Sequence, residues 1–161
     1  MMCRGQSRLA VAAGFLAGEG CFRIDKKRPK QGGSSKVYPH YGPSIRAGQV
    51  DREPLDLLQA LFGGTTRLQR HDGNPRHQPM YLWQIGGSHQ VLDCLRRIRR
   101  YLPTKKSQAD LLIRLCHLLQ ERSRSPGSKT NPQRALHWEE YEELYQAAKR
   151  LNRKGGSADH A

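Results

Sequence analysis

A chain of 161 residues with 36% hydrophobic content fits one domain, since domains most often run to roughly 100–150 residues, and leaves no room for a separate regulatory module. Its 28 Lys and Arg against 14 Asp and Glu give a net charge of +14, well beyond what solubility requires and the footprint of a polyanion-binding surface, with nucleic acid the first partner to consider. No stretch approaches the roughly 20 apolar residues needed to cross a bilayer, the start reads poorly as a signal peptide, and Cys3, Cys21, Cys94 and Cys116 form no C-x-x-C pair of the kind zinc sites use. Reduced thiols in a cytoplasmic or organellar-matrix protein are expected, not secretion.

In chain order, Ser7 can cap a helix running to about Gly18, with Leu9, Ala12, Ala13 and Leu16 at helical spacing. Ala13, Gly14 and Ala17 have almost no side chain, so a second helix could lie close against them, with Glu19 at the seam. From Cys21 to Lys27, Phe22 and Ile24 alternate with Arg23, Asp25 and Lys27, the period of a half-buried strand. Arg28 to Lys36 is a long flexible connection, and Val37 to Val50 returns as a second strand, completing a basic hairpin. Asp51 can cap a helix with the stripe Leu55, Leu58, Leu61 and Phe62, stopped by Gly63-Gly64. Thr65 to His71 pairs with Pro79 to Ile85 across the turn signal Asp72-Gly73-Asn74-Pro75, with Leu68, Tyr81, Trp83 and Ile85 as the core face and Arg67, Gln69, Leu82 and Gln84 on the other. Ser88 caps a helix containing Val91, Leu92, Leu95 and Ile98, and a further helix from about Lys105 to Arg122 carries Ala109, Leu112, Ile113, Cys116 and Leu119. The expected division is a core over 1–122, a Ser/Pro/Gly/Lys-rich linker over 123–135, an amphipathic helix over 136–152 and a frayed tail over 153–161.

The segment Ala12-Ala13-Gly14-Phe15-Leu16-Ala17-Gly18-Glu19-Gly20 resembles the LAGLIDADG motif of homing endonucleases, matching at Ala13, Gly14, Glu19 and Gly20. It departs at Ala12, at Ala17 in place of the first Asp, and at Gly18 in place of Ala. Tyr101 to Ala109 is similar to the family segment in which Leu, Lys and Gln-Ala open the long helix after the second hairpin, and Ile45 to Asp51 resembles the end of the family's second strand. The resemblance spans about Leu9 to Leu119 and implies an α+β, αββαββα fold whose saddle-shaped antiparallel sheet sits on DNA, with the C-terminal helix added.

It further implies Glu19 as a metal ligand with the Gly18 carbonyl, Lys105 as the active-site lysine, and Gln49 as the residue that positions water. Phosphodiester hydrolysis needs an activated water and neutralisation of charge developing on phosphate, and Mg²⁺ or Mn²⁺ on oxygen ligands supplies both. One motif per chain makes a homodimer through Ala13, Gly14 and Ala17 the expected assembly, with no small-molecule cofactor. A β-ribbon fits the major groove and can read base edges. The exposed hairpin faces and the first hairpin's loop therefore offer Arg23, Asp25, Lys27, Lys30, Lys36, Tyr38, His40, Ser44, Arg46, Arg67, Gln69, Arg70 and Gln84 as DNA contacts, with Tyr41 and Lys106 in reach of the backbone. Such proteins cut both strands of a long, roughly palindromic target and promote intron or intein homing. An RNA-binding intron maturase and a non-cleaving DNA binder on the same fold are the alternatives.

Overall fold

A computed structural model describes residues 4–27, 39–69, 78–124 and 137–154. Helix α1 (Arg4–Glu19) leads into β1 (Gly20–Lys27), which pairs antiparallel with β2 (His40–Gln49). Helix α2 (Glu53–Phe62), strands β3 (Thr65–Gln69) and β4 (Met80–Gly86), helix α3 (Ser88–Ile98), a 3₁₀ turn (Arg99–Tyr101), α4 (Lys106–Arg124) and α5 (Trp138–Lys154) follow. The expected αββαββα order is the observed one, followed by α4 and α5, the further and final helices also expected.

The four strands form an antiparallel sheet in the order β1-β2-β4-β3, so the second strand of each hairpin is central. Register gives the sheet two distinct faces. Phe22 opposes Ile45, Gly20 opposes Ala47, and Ala47 in turn opposes Trp83. Phe22, Ile45, Ala47 and Trp83 pack beneath the helices in one core with Ala12, Ala13, Leu16, Leu55, Leu58, Leu95, Ile98 and Leu112. Helix α5 belongs to that core, contributing buried Tyr141, Leu144 and Ala148. Its docking is polar as well: Glu142 accepts from the Tyr41 hydroxyl and from Lys26 Nζ at 2.6 Å, and Asn152 Nδ2 donates to the Phe22 carbonyl at 3.0 Å.

Several local expectations are corrected. Ser7 lies inside α1 and does not cap it, because no proline or other stop precedes it and the helix runs back to Arg4. Asp51 does accept the Glu53 amide at 3.0 Å, but the cap position itself is Arg52. Ser88 is the first helical residue of α3, and Gly87 makes the turn into it at φ +86°, a conformation that glycine adopts freely. Leu68 shares the helix-side face opposite Tyr81 yet is 43% exposed, because β3 is the outer strand and its end lies at the rim of the core. Tyr41 is buried against α5 with its hydroxyl on Glu142, so it does not reach outward from the hairpin. The turn expected at Asp72–Pro75 lies outside the described residues, as do Lys30, Lys36, Tyr38 and Arg70.

Candidate functional site

Two features meet at one end of the sheet. The first is the junction of α1 and β1. Glu19 is the last residue of the helix and is exposed, with Gly18 before it and Gly20 after it. Lys105 stands immediately before α4 in a left-handed conformation at φ +63°, which a lysine adopts only where its surroundings compel it. The Arg99 guanidinium frames that turn by pairing with Asp110, donating from Nε at 2.5 Å and from Nη2 at 2.9 Å.

Held there, Lys105 Nζ donates to the carbonyls of Leu16 at 3.3 Å, Gly18 at 3.2 Å and Gly20 at 2.6 Å. The last carbonyls of a helix have no partner within it, and a cation is favoured at the negative end of the helix dipole. The ammonium thus ties off α1 and grips the backbone on both sides of Glu19. Burial holds the Lys105 pKa below the ordinary lysine value, opposed by the nearby Cys21 and Glu19.

The Gly18 carbonyl, the expected metal ligand, is one of the three that Lys105 engages. A carbonyl oxygen has a second lone pair, so this bond does not exhaust it. Among the described residues no group of three or more His, Cys, Asp or Glu side chains could hold a metal. One chain therefore offers a single carboxylate and a backbone oxygen, hard donors that suit Mg²⁺ or Mn²⁺ but make only part of a coordination shell. Gln49, the last residue of β2, lies two residues past the Gly20–Ala47 pair at the same end of the sheet. Its Oε1 accepts the Val50 amide at 2.9 Å.

The second feature is the sheet face that no helix covers among the described residues. Strand parity puts Cys21, Arg23, Asp25 and Lys27 of β1 there, with His40, Ser44 and Arg46 of β2, Gln84 of β4, and Arg67 and Gln69 of β3. Apart from Tyr41, every described strand residue singled out from the sequence as a DNA contact falls on this face. Lys106 is exposed at the start of α4. Cys21, exposed in the row beside Arg46, was missed, although the same alternation would have found it.

Ala13 faces its own chain's core and is fully buried, and Ala17 packs partly against that core. The stripe of α1 that faces outward is Ser7, Val11, Gly14 and Gly18, with Val11 61% exposed and no atom within 4 Å of a Cβ built at either glycine. Arg97 donates to the Leu61 carbonyl at 2.6 Å and Arg99 is taken up by Asp110, so both serve the fold. Burial pushes the Cys116 thiol up to about 12 and that of Cys94 higher still, which leaves both inert.

No known family profile matches the chain, and no curated protein does. Solved structures do. The homing endonuclease I-CvuI in complex with its target superposes with a TM-score of 0.57 at 20% identity, over 89% of this chain and 96% of that one. The LAGLIDADG homing endonuclease I-GzeII in complex with a DNA target gives 0.62 at 16% identity, over 85% of this chain but 43% of its own. This chain has the LAGLIDADG homing-endonuclease fold. I-SmaMI, a LAGLIDADG enzyme bound to cleaved DNA, gives 0.58 at 18% identity, over 88% of this chain and 42% of that one. One LAGLIDADG fold unit here thus matches nearly all of I-CvuI and less than half of the other two. No helix among the described residues is long and apolar enough to cross a membrane.

Proposed function

We propose that the chain is a homodimeric, sequence-specific, divalent-metal-dependent DNA endonuclease that breaks both strands of a long, pseudo-palindromic target, as in intron homing. The observation that carries this reading is Glu19, exposed at the end of α1 between two carbonyls that Lys105 grips, at the edge of an uncovered cationic sheet face. Likeness to DNA-bound structures that share the fold supports it.

Dimerisation follows from the shortage of ligands. Glu19 is one carboxylate per chain, and two copies packed along Val11, Gly14 and Gly18 would bring two to a common axis, where they could both stay ionised only with a cation between them. The match to nearly all of I-CvuI but under half of I-GzeII and I-SmaMI supports a unit that works in pairs.

Glu19, with the free lone pair of the Gly18 carbonyl, would hold Mg²⁺ or Mn²⁺. The bound ion supplies Lewis acidity and a more acidic water. The chain's own residues do the rest. Lys105 sets a fixed positive charge beside the reacting phosphate, where charge grows in the transition state. Gln49 offers both donor and acceptor to orient water, and the sheet face holds the duplex in register.

The test is Glu19→Gln against a library of duplex targets in Mg²⁺. Loss of cutting with target binding retained is expected, since the change removes charge but little shape. A variant that cuts both strands at the wild-type rate would remove the assignment. A wild-type protein that binds structured RNA, aids splicing and leaves duplex DNA intact would make it a maturase instead.

A further inference from the structure

The uncovered face contains a cluster more organised than a solvated strand surface requires. Asp25 lies at its centre. Its Oδ2 accepts from the Ser44 hydroxyl at 2.8 Å and from Arg46 Nη2 at 3.1 Å, while its Oδ1 pairs with Arg23 Nη2 at 3.5 Å. Ser44 is the one buried polar side chain among the described residues, at 2% exposure, and it sits opposite Arg23 in the ladder. Arg46 stands opposite Cys21, two rows along from Asp25, so its side chain must run along the sheet across the Arg23–Ser44 row to make its bond. Its Nε is buried without a partner, which places the stem down on the sheet and leaves the guanidinium tethered by the carboxylate.

Among the described residues, the two strand positions facing Asp25 and Ser44 put no side chain over this cluster. Gly42 lies opposite Asp25 and Gly86 opposite Ser44. A Cβ at Gly42 would come no nearer than 3.7 Å to His40, and one at Gly86 no nearer than 3.7 Å to the Pro43 carbonyl. Both are ordinary contacts, so close packing does not require glycine at either position. The missing side chains leave two guanidiniums open to whatever lies on the sheet.

We infer that Asp25 is a positioning residue that locks Arg46 and Arg23 into a paired reader of guanine in each half of the target; this rests on the reading of the face as a DNA interface. Three donors of its own chain already occupy the carboxylate, so it is poorly placed to accept from a base amino group. The outward N–H groups of the two arginines remain. Guanine shows two acceptors, O6 and N7, in the major groove, the pattern a guanidinium fork matches, whereas cytosine shows an amino donor and adenine a donor beside its acceptor. A side chain already fixed in its bound conformation loses less freedom on binding, so the carboxylate sharpens selection without touching a base.

The test is binding selection by the full-length protein from randomised duplex DNA, in EDTA so that strands stay intact, comparing wild type, Arg46→Ala, Asp25→Asn and Ser44→Ala. Wild type should select guanine at a symmetric pair of positions, and Arg46→Ala should lose that preference. Asp25→Asn should relax it roughly tenfold, the scale of one bidentate base contact, while affinity for unrelated DNA holds or rises because a negative charge is gone. Ser44→Ala should fall between wild type and Asp25→Asn, and it checks the inference should Asp25→Asn fold poorly.

Guanine selection unchanged in Asp25→Asn would overturn the inference. So would a lost preference for cytosine or adenine, which would make Asp25 a direct base contact, or a uniform loss across sequences in Arg46→Ala, which would make Arg46 a phosphate contact. In each of those cases the DNA reading of the face would stand. A wild-type protein with no affinity for duplex DNA would fail the broader reading instead.

Discussion

Replacing Lys105 by Met removes the ammonium but keeps the unbranched stem out to the ε position and the left-handed backbone. The difference therefore measures the grip on α1 and not the strain at φ +63°. Three carbonyls lose their donor. A hydrogen bond to a charged group contributes about 1.5–3 kcal/mol, but three acceptors share one ammonium here, and water can replace the donor at the exposed Gly18 carbonyl. The part-buried carbonyls of Leu16 and Gly20 account for most of the cost. The desolvation that lowers the lysine pKa works against the gain. A net loss of about 2–3 kcal/mol follows, and for a chain of this size it should lower Tm by roughly 5–10 °C. Circular-dichroism melts of wild type and Lys105→Met at pH 7 measure it, with cutting assayed well below both melting points. A variant that melts within about 2 °C of wild type would refute the backbone grip and leave Lys105 a role only toward phosphate.

Gly14→Leu should dissociate the dimer, as read by sedimentation at micromolar concentration, while the monomer melts as before, because nothing lies within 4 Å of the new Cβ. Ala13→Leu should do the reverse and cost the fold about 1–3 kcal/mol by overpacking a fully buried site. A Gly14→Leu protein that remains a dimer would move the interface elsewhere. Lys26 first, and then Tyr41, hold the Glu142 carboxyl down from its usual 4.5 to about 2. Its contribution is therefore complete above pH 4.5 and lost as pH falls toward 2. With the side chain 25% exposed, solvent screening limits it to about 1 kcal/mol. Stability curves of wild type and Glu142→Gln should converge across that interval, and curves that stay parallel would dismiss the clasp.

The element order and most inward faces were legible because burial imprints its period directly on the sequence. Phe22 and Ile24 in β1, and Val91, Leu92, Leu95 and Ile98 in α3, stand out against charged neighbours. In α1 that contrast fails. Ala, Gly and Phe are tolerated on either side, so the pattern could not tell inward Ala13 from outward Gly14, one residue and about 100° of rotation apart. Leu68 has the expected face but not the expected burial, because period two reports the face of a strand and not its distance from the sheet's edge. Glu19 and Lys105 were legible through local motifs, yet the bonds that tie Lys105 to the backbone on either side of Glu19 run between positions 85 to 89 residues apart. Tyr41 misled for the same reason, its partner Glu142 being 101 residues away. The cluster around Asp25 needed the strand register before Arg23, Ser44 and Arg46 could be seen to share one carboxylate.

The docking of α5 on β1 also bears on how the chain is made. Lys26 and Glu142 are separated by 116 residues, which at about 5–20 residues per second is roughly 6–23 s of ribosomal synthesis. Throughout that interval the flank of the nascent sheet that Tyr141, Leu144 and Ala148 will cover has no lid. Exposed apolar strand surface of that kind invites aggregation and chaperone capture. A stop codon or frameshift between Arg124, the end of α4, and Trp138 would therefore yield a polypeptide with the whole motif and both hairpins but an open core, a substrate for quality-control proteases before it could find a target.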